Sequence, residues 1–328
     1  MQLVRLNTIL IDFWQKRPRK YMLETPVLFL IFNRPDTTER VFKRIRQVKP
    51  QQLFIAADGP RKVVQNDKEL CHKTRAIIEK IDWNCDVKTL FREENLGCAK
   101  AVSSAITWFF EHVEEGIILE DDCLPDKTFF YFCQLMLSKY RDNEQIMQIS
   151  GNNFLYNEFK KQNNSYFFSS FNDIWGWATW RNEWAKFSLD LKNGNTIEAK
   201  IVSRISNPDF CIWILSLFQS VKEEKVNSWG IPWSFYFHLN DGICIVPNGN
   251  LVKNIGYTGT HFLSSFKNPM LNINLIPFNI NKIIHPDEIS IDIQKDNLTF
   301  KNILKPKWTF YDRLHNKIKR IYLKIRRD

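Results

Sequence analysis

The sequence lacks the features by which several classes of protein are recognised. Its seven cysteines are scattered, odd in number and without a Cys-x-x-Cys pair, which argues against a disulfide framework or a zinc site. We see no secretory signal, no apolar run of about 18 residues, and no internal repeat or low-complexity segment. We therefore expect a cytoplasmic protein in a reducing compartment, with peripheral attachment to the inner face of the membrane as a further expectation.

The composition is that of an ordinary globular chain. The 328 residues are 44% hydrophobic and 25% charged, so the chain has enough apolar side chains for a sizeable core. This length fits about two domains, or one α/β domain with extensions.

The net charge of +10 is concentrated at the two ends of the chain. Residues 1–20 contain five Lys/Arg against one Asp, and residues 301–328 contain ten against two, which leaves the middle slightly acidic. Apolar residues recur at helical spacing in both ends, so we interpret them as basic amphipathic helices that contact an anionic membrane surface. The alternative, terminal helices that pack on the domain or are simply solvated, stays open. We expect no nucleic-acid partner, because such proteins carry the charge on the domain itself.

An acidic run follows a short apolar segment in the middle of the chain. Residues 116–119 predict a buried strand, Glu120-Asp121-Asp122 follow it, and Pro125 lies just beyond. Ligands of open α/β sheets bind beyond the carboxyl ends of strands, and adjacent carboxylates tolerate one another when a hard cation such as Mg²⁺ or Mn²⁺ draws them together. This pattern predicts a metal-held phosphate. The alternative is a solvated acidic turn in which Asp126 caps a helix over 127–140.

The first half of the chain alternates between strand and helix patterns. Strands are predicted at 27–32, 53–57 and 87–91, each followed by polar residues, and helical patterns separate them. Asp36 and Glu39 resemble an N-capping pair for a helix that runs to Val48. Alternation of this kind predicts an α/β fold with a mainly parallel sheet, in the style of nucleotide-binding domains.

The second half is rich in aromatic residues and shows few clean helical patterns. Its densest segments are 173–180 and 229–233, which contain the tryptophans Trp175, Trp177, Trp180, Trp229 and Trp233. Tryptophan faces either fill a core or stack on sugars and bases, and the spacing alone favours the core. A glycine-bearing loop at 254–260 ends in His261, in a position where functional residues concentrate.

The order of several motifs resembles the GT-A-fold glycosyltransferases, in particular the N-acetylglucosaminyltransferase-I type and its bacterial sugar-transferase relatives. The motifs are residues 27–35, Asp58-Gly59-Pro60-Arg61, Asn95-Leu96-Gly97, Glu120-Asp121-Asp122, residues 175–180 and the loop that ends in His261. The resemblance covers residues 24–265. It divides the chain into a basic amphipathic helix at 1–23, a GT-A domain at 24–265, and an extension at 266–328 that ends in a second basic helix.

The resemblance implies a nucleotide-diphosphosugar donor, expected to be UDP-linked, and a divalent metal. It assigns Asp122 and His261 to the metal, and the five tryptophans named above to the acceptor. Asp121 is implied near the ribose or sugar, with Glu120 supporting it. The remaining donor-binding positions that it implies are Asn33, Arg34, Pro35, Asp58, Arg92, Asn95 and Gly97.

The same resemblance implies an inverting transfer to an acceptor hydroxyl, which needs a general base. Relatives place an Asp directly after a Trp at the position of Gly230, so the usual base is missing here. We name Asp173, Glu183 and, as a weaker option, Asp241 as possible substitutes. The implied function is metal-dependent sugar transfer to a bacterial cell-surface polysaccharide, a lipopolysaccharide or a lipid-linked precursor. The alternative is a non-catalytic module that binds a sugar nucleotide or a glycan.

Overall fold

An eight-stranded sheet forms the framework of the protein. The computed structural model describes residues 22–156, 158, 163–191, 194–256 and 273–304, together with Asn316 and Lys319. The strands of this sheet are β1 (Val27–Ile31), β2 (Gln52–Ala57), β3 (Asp86–Phe91), β4 (Glu115–Glu120), β6 (Ile146–Ser150), β7 (Tyr166–Ser169), β8 (Trp177–Trp180) and β9 (Ile243–Pro247). A small second sheet pairs β5 (Cys123–Pro125) with β10 (Val252–Asn254).

The strand order in the large sheet is β3-β2-β1-β4-β8-β6-β9-β7. Six of these strands point the same way, and only β7 and β8 run against their neighbours. Because helices cover both faces, the central strands are apolar at nearly every position, as in β1, which is buried throughout. This confirms the predicted fold class, an α/β protein with a mainly parallel sheet flanked by helices.

The helices are α1 (Pro35–Val48), α2 (Asp67–Arg75), α3 (Gly97–Phe110), α4 (Lys127–Tyr140), α5 (Arg181–Trp184), α6 (Gly194–Arg204), α7 (Pro208–Lys222), α8 (Gly230–Leu239) and α9 (Ile293–Thr299), with a 3-10 turn at Ala76–Lys80.

Helices on the two faces of the sheet belong to separate hydrophobic clusters. Helices α1 and α4 pack on one face, whereas α3, α5 and α8 pack on the other. A third cluster joins α6, α7 and the buried Phe300 of a π-helical turn, Phe300–Leu304.

Sequence predictions in the first half agree closely with these bounds. Helix α4 has the predicted extent, and the Asp126 carboxylate accepts a hydrogen bond of 2.8 Å from the Thr128 N–H. The capping pair predicted for α1 is wrong, because α1 begins at Pro35 and places Asp36 inside its first turn. Glu39 contacts Lys80 instead of closing a cap.

The second half contains more helix than its sequence pattern indicated. Helices α6, α7 and α8 occupy much of residues 194–239, where we predicted few clean helices. Helix α8 is buried at most positions, so its sequence is apolar all round and shows no amphipathic period. This accounts for the wrong prediction in this region.

Residues 273–304 pack against the sheet domain. The Phe278 and Phe132 ring centroids are 5.7 Å apart, and the Asp292 N–H donates to the Phe168 carbonyl over 2.9 Å. The predicted N-terminal basic helix, the terminal part of the C-terminal helix and His261 lie outside the described residues. No helix among the described ranges is both long and apolar enough to cross a membrane.

Candidate functional site

The carboxyl end of the sheet, where β1, β2, β4 and β6 terminate, brings together most of the predicted donor-binding residues. Because β1 pairs in parallel with β2 and β4, the polar residues that follow all three strands meet there. Arg34 follows β1, Asp58 follows β2, and Asp121 and Asp122 follow Glu120, the last residue of β4. These residues lie far apart in the sequence, and the parallel register is what makes them neighbours.

Arg34 joins the two aspartates that follow β4. Its guanidinium contacts the Asp121 carboxylate through Nη2, and its Nη1 lies 2.9 Å from Asp122 Oδ2. The other Asp121 oxygen accepts the Phe32 N–H over 3.3 Å. Asp121 is 3% exposed, whereas Asp122 is 15% and Arg34 28% exposed. Asp121 is therefore a buried anchor for the guanidinium, while Arg34 and Asp122 reach the surface.

The carboxylates at the end of β4 repel one another electrostatically. Burial raises the pKa of Glu120 to about 8, and the adjacent Asp122 and Asp121 carboxylates contribute to the rise. Burial also raises the pKa of Asp121, against the lowering effect of Arg34. A positive charge that arrived beside these groups would favour their ionised forms.

Asp58 holds the loop that precedes α3. Its carboxylate accepts hydrogen bonds from Asn95 Nδ2 at 2.9 Å and from the backbone N–H groups of Leu96 and Gly97 at 3.0–3.1 Å. The Gly59 N–H donates to the same carboxylate over 2.9 Å. Hydrogen bonds therefore join Asp58 to Asn95 and Gly97 at the carboxyl end of the sheet. Because these bonds use their polar groups, the three residues support the structure of the site more than they bind a ligand directly.

Arg92 and Pro35 lie close to the carboxyl ends of β3 and β1. Arg92 Nη2 donates to Ser104 Oγ at 2.8 Å, and burial lowers its pKa. Pro35 opens α1, where its fixed φ suits the first helical turn. Their placement beside the carboxyl end of the sheet is compatible with the donor-binding roles that the resemblance implied.

Asp67 is a central residue of this region that our sequence prediction missed. Arg61 donates to it through Nε, Nη2 and its backbone N–H at 2.8–2.9 Å, and Asn33 Nδ2 donates to it at 2.5 Å. Hydrogen bonds from Arg61 hold the pKa of Asp67 down to about 2. Asn33 and the Asp58-to-Arg61 turn are therefore fixed to α2 through one buried carboxylate. The sequence offered no signal for Asp67, because it begins a helix after an aperiodic loop.

The small sheet brings a second segment against the acidic run. Because β5 pairs with β10, the chain that leaves β10 passes beside Asp122, and the Ile255 N–H donates to the Asp122 carbonyl over 2.8 Å. A Cβ atom on Gly256 would lie 2.3 Å from Asp122 Oδ2 and 2.9 Å from Arg34 Nη1. A side chain at position 256 would therefore displace Asp122 or Arg34 from the positions they hold here. The predicted metal ligand His261 follows five residues later, outside the described residues.

The residues around Asp122 fit a metal site only in part. Among the described residues no group of three His, Cys, Asp or Glu side chains is arranged to hold a metal ion. Arg34 binds Asp122 through Oδ2, whereas Asp122 Oδ1 accepts from the Cys123 thiol over 3.5 Å. Since Mg²⁺ is often held by one or two carboxylates together with substrate phosphates, Asp122 supplies one suitable ligand, and a phosphorylated ligand would have to supply others.

Four of the five tryptophans predicted to bind an acceptor are core residues. Trp177, Trp180, Trp229 and Trp233 are each at most 4% exposed. Trp177 stacks on Trp229 with ring centroids 5.7 Å apart, and Trp233 lies 5.8 Å from Trp177. The core alternative accounts for these four side chains, since no face is left for a sugar. Trp175 alone is half-buried, with its ring against Phe154 at 5.7 Å.

The three candidate bases lie at two different ends of the sheet. Asp173 belongs to the segment that leads into β8, which places it at the carboxyl end of the sheet because β8 runs antiparallel to β4. Glu183 follows β8 at the opposite end, where it is 2% exposed and pairs with Lys186 at 2.7 Å. Asp241 precedes β9 at that same opposite end and pairs with Lys200 at 2.6 Å. Only Asp173 shares an end with Arg34 and Asp122.

Comparison with known proteins gives remote structural similarity only. No family model matches the chain, and no curated protein matches it. Among solved structures, the chain is similar to GalNAc-T7 with UDP, GalNAc and Mn2+ at 12% identity, with a TM-score of 0.40, over 69% of this chain and 43% of that chain. It is similar to S. aureus TarS 1-349 at 8% identity, with a TM-score of 0.37, over 68% of this chain and 58% of that one.

A third similar structure is an apo UDP-glucose pyrophosphorylase, at 9% identity and a TM-score of 0.30, over 67% of this chain and 90% of that chain. This chain thus spans about half the length of the first two proteins. Its function has to be inferred from its own residues.

Proposed function

We propose that this chain is a glycosyltransferase that binds a nucleotide-diphosphosugar, with UDP as the nucleotide, at the carboxyl end of the sheet. The observation that carries the proposal is the guanidinium of Arg34, held between Asp121 and Asp122 and 28% exposed. Arginine binds phosphate oxygens through paired N–H groups, so a held and accessible guanidinium suits a diphosphate.

Breaking the bond between the sugar and the phosphate leaves negative charge on the nucleoside diphosphate. A fixed positive group at that point stabilises the charge without reorganising during the reaction. Arg34 provides such a group, because its ion pairs with Asp121 and Asp122 fix its position, and the Phe32 N–H in turn holds Asp121. Asp122 would hold a divalent ion, which when bound would act as a Lewis acid on the diphosphate oxygens.

The residues around Arg34 would form the rest of the donor site. Asn33 is fixed by Asp67, and Asp58 fixes the loop at 95–97, so the walls on both sides of Arg34 are rigid. Rigid support of this kind is what a site needs to hold a ligand in one geometry. The detailed likeness to the N-acetylglucosaminyltransferase-I type, and transfer to a cell-surface glycan or lipid-linked acceptor, belong to this proposal as well.

A nucleotide-binding panel tests the donor class. We expect UDP, but not GDP, CMP or dTDP, to raise the melting temperature, and Mn²⁺ to strengthen the effect, because a ligand that binds only the folded state stabilises it by mass action. Asp122→Asn should remove the Mn²⁺-dependent part of UDP affinity in calorimetry. Asp142→Asn, the same change at an exposed site remote from the sheet end, is the control. Unchanged Mn²⁺-dependent UDP affinity in Asp122→Asn would contradict the metal role, and no shift with any nucleotide would contradict the proposal.

A second candidate is a module that binds a sugar nucleotide or glycan without catalysis. Gly230 favours it, because the position at which relatives carry an acid has no side chain here. Only the glycosyltransferase is expected to convert a UDP-sugar, whereas the binding module would leave it unchanged. Slow metal-dependent hydrolysis of a UDP-sugar by the purified protein would exclude the binding module.

A further inference from the structure

The segment that leads into β8 contains a carboxylate that few groups satisfy. The Trp175 N–H donates to Asp173 Oδ1 over 2.9 Å, and this is the only hydrogen bond that the Asp173 side chain makes among the described residues. Beside it, Asn172 Nδ2 is buried and has no partner in the described part of the chain. The buried Asn172 Nδ2 is therefore adjacent to a half-buried carboxylate whose second oxygen has no hydrogen bond within the described residues. Buried polar groups are normally paired, so the unpaired Asn172 Nδ2 beside this carboxylate points to a ligand.

Three hydrogen bonds hold the segment around Asp173 in place. Gln148, which is fully buried in β6, donates through Nε2 to the Asp173 carbonyl over 2.6 Å. Trp233 of α8 donates through Nε1 to Gln148 Oε1 over 2.7 Å. Beyond Asp173, the Gly176 carbonyl accepts the Gly151 N–H over 2.8 Å. The backbone of this segment is thus tied to β6 on one side and, through Gln148, to α8 on the other.

Gly230, at the start of α8, lies against Ile174, the residue that follows Asp173. A Cβ atom on Gly230 would lie 2.4 Å from Ile174 Cδ1, so the side chain next to Asp173 occupies the space into which residue 230 would project. An aspartate at 230 would not fit beside Ile174 as it is placed. The residue before Ile174 brings a carboxylate to the same junction between the β8 segment and the start of α8.

We propose that Asp173 is the general base of the glycosyl transfer, in place of an acid at position 230. This inference rests on the proposed function. The Asp173 carboxylate takes the proton of the acceptor hydroxyl while that oxygen forms its bond to the anomeric carbon. The bond from this carbon to the diphosphate oxygen breaks, its electron pair leaves with the nucleoside diphosphate, and the anomeric centre is inverted. Asp173 then releases the proton to water.

The environment of Asp173 supports this role. Burial raises the pKa of Asp173 to about 7, close to the value at which a base accepts a proton efficiently near neutral pH. Cys244 of β9 is a titratable group on this side of the sheet, and burial raises its pKa well above the usual range. The thiol therefore stays neutral through the range in which Asp173 titrates. The residues of α8 nearest the segment, Gly230 and Trp233, carry no charge.

Hydrolysis of a UDP-sugar, with water as the acceptor, tests the base without a known glycan. We use UDP-glucose, UDP-galactose, UDP-N-acetylglucosamine and UDP-N-acetylgalactosamine with Mn²⁺. Asp173→Asn keeps the size of the side chain and its bond to the Trp175 N–H, and we expect it to lower the rate about 10²–10⁴-fold at pH 7. The wild-type rate should fall below a pKa near 7, and this pH dependence should disappear in the variant.

Azide distinguishes a missing base from a damaged site. Azide attacks as an anion and needs no proton removed, so Asp173→Asn should form the glycosyl azide from the UDP-sugar at a rate close to that of the wild type. Unchanged UDP affinity shows that the donor site is intact. Equal hydrolysis by Asp173→Asn and the wild type would overturn the proposal, as would a rate loss in Glu183→Gln or Asp241→Asn in its place. Absence of UDP binding and of hydrolysis in the wild type would instead contradict the proposed function.

Discussion

Two groups of carboxylates at the carboxyl end of the sheet, Asp58 with Asp67 on one side and Asp173 on the other, differ in how they are held. In the half built on β1 to β4, Asp67 has four hydrogen-bond donors and Asp58 has several, and both are anchored in place. In the segment before β8, Asp173 has a single backbone N–H. The pKa of Asp67 is about 2 and that of Asp173 about 7. Asp58 and Asp67 therefore support the structure of the site, whereas Asp173 can exchange a proton near neutral pH.

The largest effect on stability is expected from Asp67. Asp67→Ala removes the acceptor for the Arg61 guanidinium, the Arg61 N–H and the Asn33 amide at once. Breaking a buried ion pair by removing one partner costs about 3–5 kcal/mol, and we expect about 3 because Arg61 is 27% exposed. Urea denaturation at pH 7 measures this change.

The matched control for Asp67 lies on the same helix. Glu69 is exposed and pairs with Lys73 one turn away, so Glu69→Ala should leave the urea midpoint unchanged. A similar loss of stability in both variants would show that the hydrogen bonds of Asp67 do not cause the loss. It would also remove the contrast between the two groups of carboxylates.

The two carboxylates should also affect stability with opposite dependence on pH. The pKa of Asp173 is higher in the folded chain than the unfolded value of about 4, so its contribution falls as pH rises from about 4 to 7 and stays low above that. Asp67 has a lowered pKa, so its contribution is lost as pH falls from about 4 to 2.

Asp173→Asn should therefore be more stable than the wild type at pH 8 and equal to it near pH 4. Three pKa units correspond to about 4 kcal/mol, and we expect about 2 because Asp173 is only half-buried. Denaturation midpoints measured from pH 4 to 8 test this. A wild type that is as stable as the variant at pH 8 would show that Asp173 is not destabilised by its environment, and the comparison with Asp67 would fail.

The sequence predicted the first half of the fold well, because its signals are local there. Apolar runs that end in polar residues mark β1, β2 and β4, and Asp126 marks the start of α4. The meeting of Arg34 with Asp122 follows from parallel pairing, which the alternation of strands and helices already indicates. The contact of Asp67 with Asn33 depends on where an aperiodic loop leads the chain, and no local pattern records it.

The choice among the candidate bases could not be made from sequence for a related reason. Asp173 and Glu183 flank the same aromatic segment, and the direction of β8 decides which of them reaches the carboxyl end of the sheet. Strand direction depends on pairing with β4 and β6, which are distant in sequence. The tryptophans differ in this respect, because their spacing already favoured the core, and the packing of Trp177 against Trp233 of α8 agrees with it.

The smallest effect on stability is expected at Gly256, where a substitution nonetheless tests the contact between Asp122 and Arg34 directly. A Cβ atom there would meet Asp122 Oδ2 at 2.3 Å and Arg34 Nη1 at 2.9 Å, and both are the ends of side chains that can rotate away. Although Gly256 is buried, Gly256→Ala should therefore cost only about 1 kcal/mol of stability, near the centre of the range for point substitutions. Rotation of Asp122 away from Arg34 should weaken Mn²⁺-dependent UDP binding several-fold in calorimetry.

Gly194→Ala is the matched control, because a Cβ atom on Gly194 in α6 would have its nearest contact at 3.4 Å, with Phe218 Cζ. This change should leave UDP affinity unchanged and raise stability by about 0.5 kcal/mol, as replacing a helical glycine by alanine usually does. Equal UDP affinity in Gly256→Ala and Gly194→Ala would show that donor binding does not need the placement of Asp122 against Arg34. The proposed donor site would then have to lie elsewhere along the carboxyl end of the sheet.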